Sequence, residues 1–75
     1  MTLEKIFADV FAIPVDTISD TLSLREIGSW DSMSHMVLIT RIEEAFLVQL
    51  TGDQIADMKT VGDARLALRA HGIDL

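Results

Sequence analysis

The sequence predicts an all-α fold: a bundle of four helices with a long first loop and a short third helix. Apolar residues recur at three- and four-residue steps, and sustained alternation of the strand type is missing. Breaks at Pro14, at 51–53 and at Gly72 divide the chain into helix-length pieces. A length of 75 residues leaves room for one domain, 1–75, and no second. So small a domain buries only about 60% of its unfolded surface. With no cysteine there is neither a disulfide nor a cysteine-ligated metal to help. Stability therefore rests on the apolar core, and 49% hydrophobic residues supply one.

The first helix is predicted over 2–12, with Leu3, Phe7, Val10 and Phe11 on one face. Thr2 suits the N-cap, and Pro14 ends the helix by disfavouring α geometry at Ile13. Residues 14–30 form a connection too long to be idle. Several of Val15, Ile18, Leu22, Leu24 and Ile27 should plug the core, with a turn of helix near 24–27. Gly28 should free the backbone for entry into the next helix.

The second helix is predicted over 32–47. At 100° per residue, Leu38, Ile39, Ile42, Ala45 and Phe46 make its core face. Met33, Val37, Thr40 and Glu44 fall opposite, so two apolar residues point outward close to Ser32. Thr51-Gly52-Asp53 reads as a break, followed by a short third helix over 53–57 with Ile55 buried. Thr60 and Asp63 then have capping-box spacing. The last helix should run to 70 or 71 with Val61, Ala64, Ala67 and Leu68 inward, and Gly72 suits its C′ position.

Twelve acids against six bases give a formal net charge of −6. Such a surface repels nucleic acid and favours partners with basic patches, although ordinary solubility explains it equally. The N-terminus lacks the basic and apolar regions of a signal peptide, and no apolar run approaches the ~20 residues that span a bilayer. A soluble cytoplasmic monomer is expected. His35 and His71 have no convincing ligand set around them, so no structural metal is expected. His35 should be packed or hydrogen-bonded, with a partner contact as the second reading, and His71 should fall in the last turn of the final helix, where it suits the dipole.

Asp31 and Ser32 fall where the second helix starts, and local physics allows either to be a plain N-cap. The same position also suits a serine that carries an anion, because a helix start presents free N–H groups and partial positive charge. Catalysis by Ser32 itself lacks an orienting group and an oxyanion donor, so a serine hydrolase is not supported.

The ordered set Ile27-Gly28-Ser29-Trp30-Asp31-Ser32-Met33, Val37-Leu38-Ile39 and Ile42-Glu43-Glu44-Ala45-Phe46, then Thr60-Val61-Gly62-Asp63-Ala64, resembles the acyl and peptidyl carrier protein family over essentially the whole chain. The resemblance implies an acyl-carrier-like four-helix bundle whose motif serine, Ser32, preceded by Asp31, is esterified by 4′-phosphopantetheine from coenzyme A. A phosphopantetheinyl transferase would do this, and the carrier itself would catalyse nothing. An acyl- or aminoacyl-loading ligase and a downstream synthase or transferase would be its other partners, served by a tethered substrate at raised effective concentration.

Trp30, Met33 and Leu47 depart from the commoner residues of that pattern, and Val37, Thr40 and Arg41 make the second helix less acidic. These features point away from primary fatty-acid synthesis and toward a stand-alone carrier of a specialised pathway. Met33 and Val37 are expected to form a docking patch with Glu43 and Glu44 as its acidic rim, and Trp30 to anchor the loop or touch a partner. Two alternatives stay open: an aminoacyl or peptidyl carrier served by an adenylating ligase, and a helical interaction module that carries no cofactor.

Overall fold

The computed structural model describes residues 2–75; Met1, the first residue of the expected domain, lies outside them. Four helices follow in order: α1 Leu3–Phe11, α2 Ser32–Phe46, α3 Gly52–Asp57 and α4 Val61–Ala70. Two single 3₁₀ turns, Val15–Thr17 and Leu24–Glu26, lie in the long connection. Among the described residues there is no strand, only an isolated antiparallel bridge between Ser23 and Thr60.

The core is the sum of the helices' apolar stripes. Leu3, Ile6, Phe7 and Phe11 of α1 meet Leu38, Ile39 and Ile42 of α2 and Val61, Ala64 and Leu68 of α4. The Phe7 and Phe11 rings lie 6.2 Å apart and tilted by 35°, within the range of favourable aromatic pairs. All four residues expected to face inward from α4 are buried. Ile18, Leu24 and Ile27 do plug the core from the long connection, and Leu22 packs partly against it. Val15 does not, and stays half exposed on its 3₁₀ turn. Val10 is half-buried, beside the stripe rather than in it.

Every α-helix begins with a side-chain cap. Thr2 accepts from the Lys5 N–H, as expected. The box of Thr60 and Asp63 forms in both directions at 3.1 Å. A second box joins Thr51 to Gln54 and starts α3 at Gly52, so the segment read as a break is the helix entrance itself. Ile55 is half-buried there, while Leu50 and Met58 at the two ends of the short helix are the residues that reach the core.

Helix ends depart further from expectation. α1 stops at Phe11 because Ala12 turns left-handed, at φ 55°, and bonds back to Ala8; Pro14 lies beyond the end rather than causing it. Leu47 does the same after α2, again at φ 55°. Left-handed backbone costs a residue with a Cβ roughly 1–2 kcal/mol; Leu47 exposes 90% of its surface, and the compensation lies in the backbone, where the N–H groups of Leu47 and Val48 bond to the Glu43 carbonyl. Ala45, expected inside, is exposed, since the buried seam of α2 runs through Leu38, Ile39 and Ile42 to a half-buried Phe46. After α4 the expected glycine is in place: Gly72 has φ 82°, and the N–H groups of Gly72 and Ile73 bond to the carbonyls of Arg69 and Leu68. Gly28 needs none of the freedom expected of it, having neither a positive φ nor a close neighbour.

The long connection is stitched to the start of α4. Val61 N–H donates to the Leu22 carbonyl, Gly62 N–H to that of Asp20, and Leu24 N–H to that of Lys59. A Cβ at position 62 would stand 3.0 Å from the Asp20 carbonyl oxygen, so the close approach there requires glycine. Arg65 ties the same region together by pairing with Asp20 at 3.1 Å and with Glu4 of α1. This leaves α2 to enter from a loop fixed at its other end.

Candidate functional site

The entrance to α2 is built by hydrogen bonds that sequence reasoning only half anticipated. Asp31 is the N-cap. Its Oδ1 accepts from the Ser34 N–H at 2.7 Å, and the Asp31 N–H donates to Ser34 Oγ at 2.8 Å, closing a reciprocal box. The Ser34 N–H first, then its hydroxyl, hold the Asp31 carboxyl below the ordinary range, with the Met33 N–H adding to the effect. Ser34 is the residue sequence reasoning missed; serine at the third helical position is a weak form of the Glu or Gln signal. Ser29 anchors the approach, its hydroxyl donating to the Phe11 carbonyl at 3.0 Å.

Because Asp31 takes the cap, Ser32 is freed from it. Ser32 is the first residue of α2, exposed, and no hydrogen bond occupies its hydroxyl among the described residues. Of the two cap readings open at this position, the structure selects Asp31.

Trp30 is half-buried against the core cluster. Its Nε1–H donates to His35 Nδ1 at 3.2 Å, with the rings edge-on at 80°. The other ring nitrogen of His35, Nε2, lies 3.1 Å from the Ile55 carbonyl oxygen. A carbonyl only accepts, so Nε2 carries the proton and Nδ1 receives the indole N–H. His35 is therefore a bridge from the Ser32 loop to α3, in keeping with the hydrogen-bonded histidine expected. His71 also reaches α3, through Gln54 Oε1 at 2.9 Å.

A groove of about 300 Å³ opens beside Ser32. Leu24, Met36, Ile55 and Met58 line it, and Trp30 and His35 stand along one side. On the outer face of α2, Met33 is 77% exposed, with Met36 and Val37 about half exposed. Met33, Met36, Val37, Thr40 and Arg41 surround a shallow depression there. Met36 joins the two hollows and was not singled out by the helical wheel. The expected acidic rim divides in two. Glu44 is exposed, whereas Glu43 is half-buried and accepts the Leu50 N–H at 2.8 Å, holding the α2–α3 loop.

A helical bundle that caps a long helix with Asp31 and leaves Ser32 exposed beside an open groove has the design of a scaffold that presents one hydroxyl. The comparisons name the class. A family model described as a phosphopantetheine attachment site matches residues 2–64. The chain is 31% identical over 62 residues to an acyl carrier protein of Beutenbergia cavernae, covering 83% of this chain and 76% of that one. An acyl carrier protein of Acidothermus cellulolyticus is 32% identical over 83% of this chain and 74% of its own. One from Lactobacillus acidophilus is 26% identical over 92% and 86%.

The chain belongs to the acyl carrier protein family, whose members are carriers rather than catalysts. Membership implies a covalently attached 4′-phosphopantetheine. The site fits such a group: a free, exposed hydroxyl at a helix start, open to a modifying enzyme and bordered by a groove. No helix among the described residues is long and apolar enough to cross a membrane.

Proposed function

We propose that the chain is a stand-alone carrier that holds an acyl or aminoacyl group as a thioester on a phosphopantetheine arm attached to Ser32, for a specialised or fatty-acid-like biosynthesis. One observation supports the assignment above others. Three serines surround the motif, but Ser29 bonds to Phe11 and Ser34 completes the Asp31 box, leaving Ser32 alone with an uncommitted hydroxyl.

The arm supplies the thiol that forms the thioester, and the protein's own residues supply its placement. Asp31 fixes the helix start, and the bridge from Trp30 through His35 to Ile55 holds the neighbouring loop against α3. Met33, Met36 and Val37, bordered by Glu44, offer an apolar surface next to the attachment point. Patches of this kind mark docking sites. The partners proposed are a phosphopantetheinyl transferase, a loading ligase and a downstream synthase or transferase, all meeting a monomer in the cytoplasm. Cargo served by an adenylating ligase fits the same surface.

Incubation with coenzyme A, magnesium and a broad-specificity transferase should add one phosphopantetheinyl group to the wild type and none to Ser32→Ala, read by intact mass. Addition to the Ser32→Ala protein would remove Ser32 from its role. For the patch, Met33→Glu or Val37→Glu should slow loading by the transferase or a cognate ligase about tenfold, the effect of roughly 1.4 kcal/mol at an interface. Unchanged rates would remove the patch.

A further inference from the structure

We propose that Arg25 and Lys59 form a cationic clamp for the phosphodiester carried on Ser32, turning the arm into the groove; this rests on the attachment proposed above. The chain has six Lys and Arg residues against twelve acids. Arg41 and Arg65 pair with carboxylates, and Arg69 bonds to the Leu75 carbonyl. The side chains of Lys5, Arg25 and Lys59 have no such partner among the described residues, and of these three only Arg25 and Lys59 line the groove that Ser32 opens onto. No carboxylate lines it. In a protein of net charge −6, the groove side of Ser32 thus carries two cations and no lining carboxylate, while Asp31 stands on the helix-start side.

Their meeting is built by the backbone. They lie 34 positions apart, on the second 3₁₀ turn and in the α3–α4 connection. The Leu24 N–H bonds to the Lys59 carbonyl at 2.9 Å, and the bridge between Ser23 and Thr60 continues the pairing. The same stitching that anchors the long connection thus carries both charges to the groove.

The electrostatics at Ser32 call for them. A phosphodiester there adds a negative charge one residue from Asp31, whose carboxyl is held ionised. The Ser34 N–H, and in part that of Met33, are already directed at Asp31, so the helix start has fewer donors left for a second anion. Cations on the groove side offset that repulsion and favour an arm lying inward, toward Ile55 and Met58, over one extended into solvent.

The test compares unmodified and modified forms of the wild type and of the Arg25→Gln/Lys59→Gln double variant, each loaded by transferase and checked by intact mass. The readouts are Tm and the fluorescence of Trp30, the single tryptophan, which borders the groove. In low salt the wild type should keep its Tm on modification and change its Trp30 emission. The double variant should lose about 3 °C on modification, the size expected from two exposed charge pairs in a domain this small, with its emission unchanged. The loss should fade near 1 M salt, where screening reaches about 3 Å. Equal Tm changes in both proteins would overturn the clamp while leaving the attachment intact. Loading lost only in the double variant would transfer the two cations to transferase recognition and also overturn it. Failure of the wild type to load would refute the attachment and the clamp together. The single variant Lys59→Gln, expected to show about half the loss, keeps the test open if the double variant is poorly folded.

Discussion

α2 and α4 begin with the same device and put it to opposite use. Each opens on a reciprocal capping box, Asp31 with Ser34 and Thr60 with Asp63. The first helical residue of α4, Val61, is fully buried, and the second, Gly62, is pressed against the Asp20 carbonyl. The corresponding residues of α2 are Ser32, exposed, and Met33, 77% exposed. A cap settles where a helix starts and how its first N–H groups are satisfied; it does not decide which way the first turn faces. The long connection decides that, by folding over the start of α4 while leaving the first two residues of α2 exposed. One entrance is thereby spent on stability, and the other stays open to solvent.

Substitutions at matched positions should separate the two entrances. The largest difference is expected at the first helical residue. Val61→Ser loses buried apolar contacts and places a hydroxyl in the core, costing about 2–3 kcal/mol, whereas Ser32→Ala should stay within about 0.5 kcal/mol. Urea denaturation of the two variants reads this directly, and similar losses would erase the contrast. At the second residue, Gly62→Ala crowds a backbone carbonyl, and overpacking outweighs its gain in helix propensity to leave a net loss of about 1 kcal/mol. Met33→Ala should be neutral on the same assay.

The smallest effect lies in the acid range. The carboxyl of Asp31 is depressed in the folded state, so its stabilising contribution is present above the unfolded value of about 3.9. That contribution is lost as pH falls through the lower folded value. Asp31→Asn should flatten this part of the stability profile below about pH 4, measured by Tm. Glu4, also lowered, by hydrogen bonds including that from Arg65, keeps the remaining slope.

Much of the bundle was legible because helical period alone specifies it. The inward set of α4 and the box of Thr60 and Asp63 are visible as spacings, and Ser32 and Asp31 stand out by position. What escaped lies in features with no local signature. Ala12 and Leu47 end helices in left-handed backbone without being glycine, each capping its helix by a backbone N–H bond to Ala8 or Glu43, and neither residue type signals such a cap. Ala45 shares a wheel position with core residues, yet it is exposed, because the seam of α2 narrows to Leu38, Ile39 and Ile42 and continues through Phe46. Glu43 looks like a solvated acid until the Leu50 N–H is found pointing at it. The Thr51–Gln54 box was available at i, i+3 spacing and was masked by Gly52 between them. The bridge from Trp30 through His35 to Ile55 depends on His35 meeting a carbonyl 20 positions away and leaves no trace in sequence. Arg25 and Lys59 likewise become neighbours of Ser32 only through the pairing of Leu24 with Lys59.

The proposed attachment is decided by which of three neighbouring serines takes the arm. Tryptic digestion of the transferase-treated protein, cutting after Arg25 and Arg41, gives one peptide, 26–41, that holds Ser29, Ser32 and Ser34. Fragmentation of that peptide should place the phosphopantetheinyl group on Ser32, the one of the three whose hydroxyl is uncommitted among the described residues. A group on Ser29 or Ser34, or an unmodified peptide, would contradict the account.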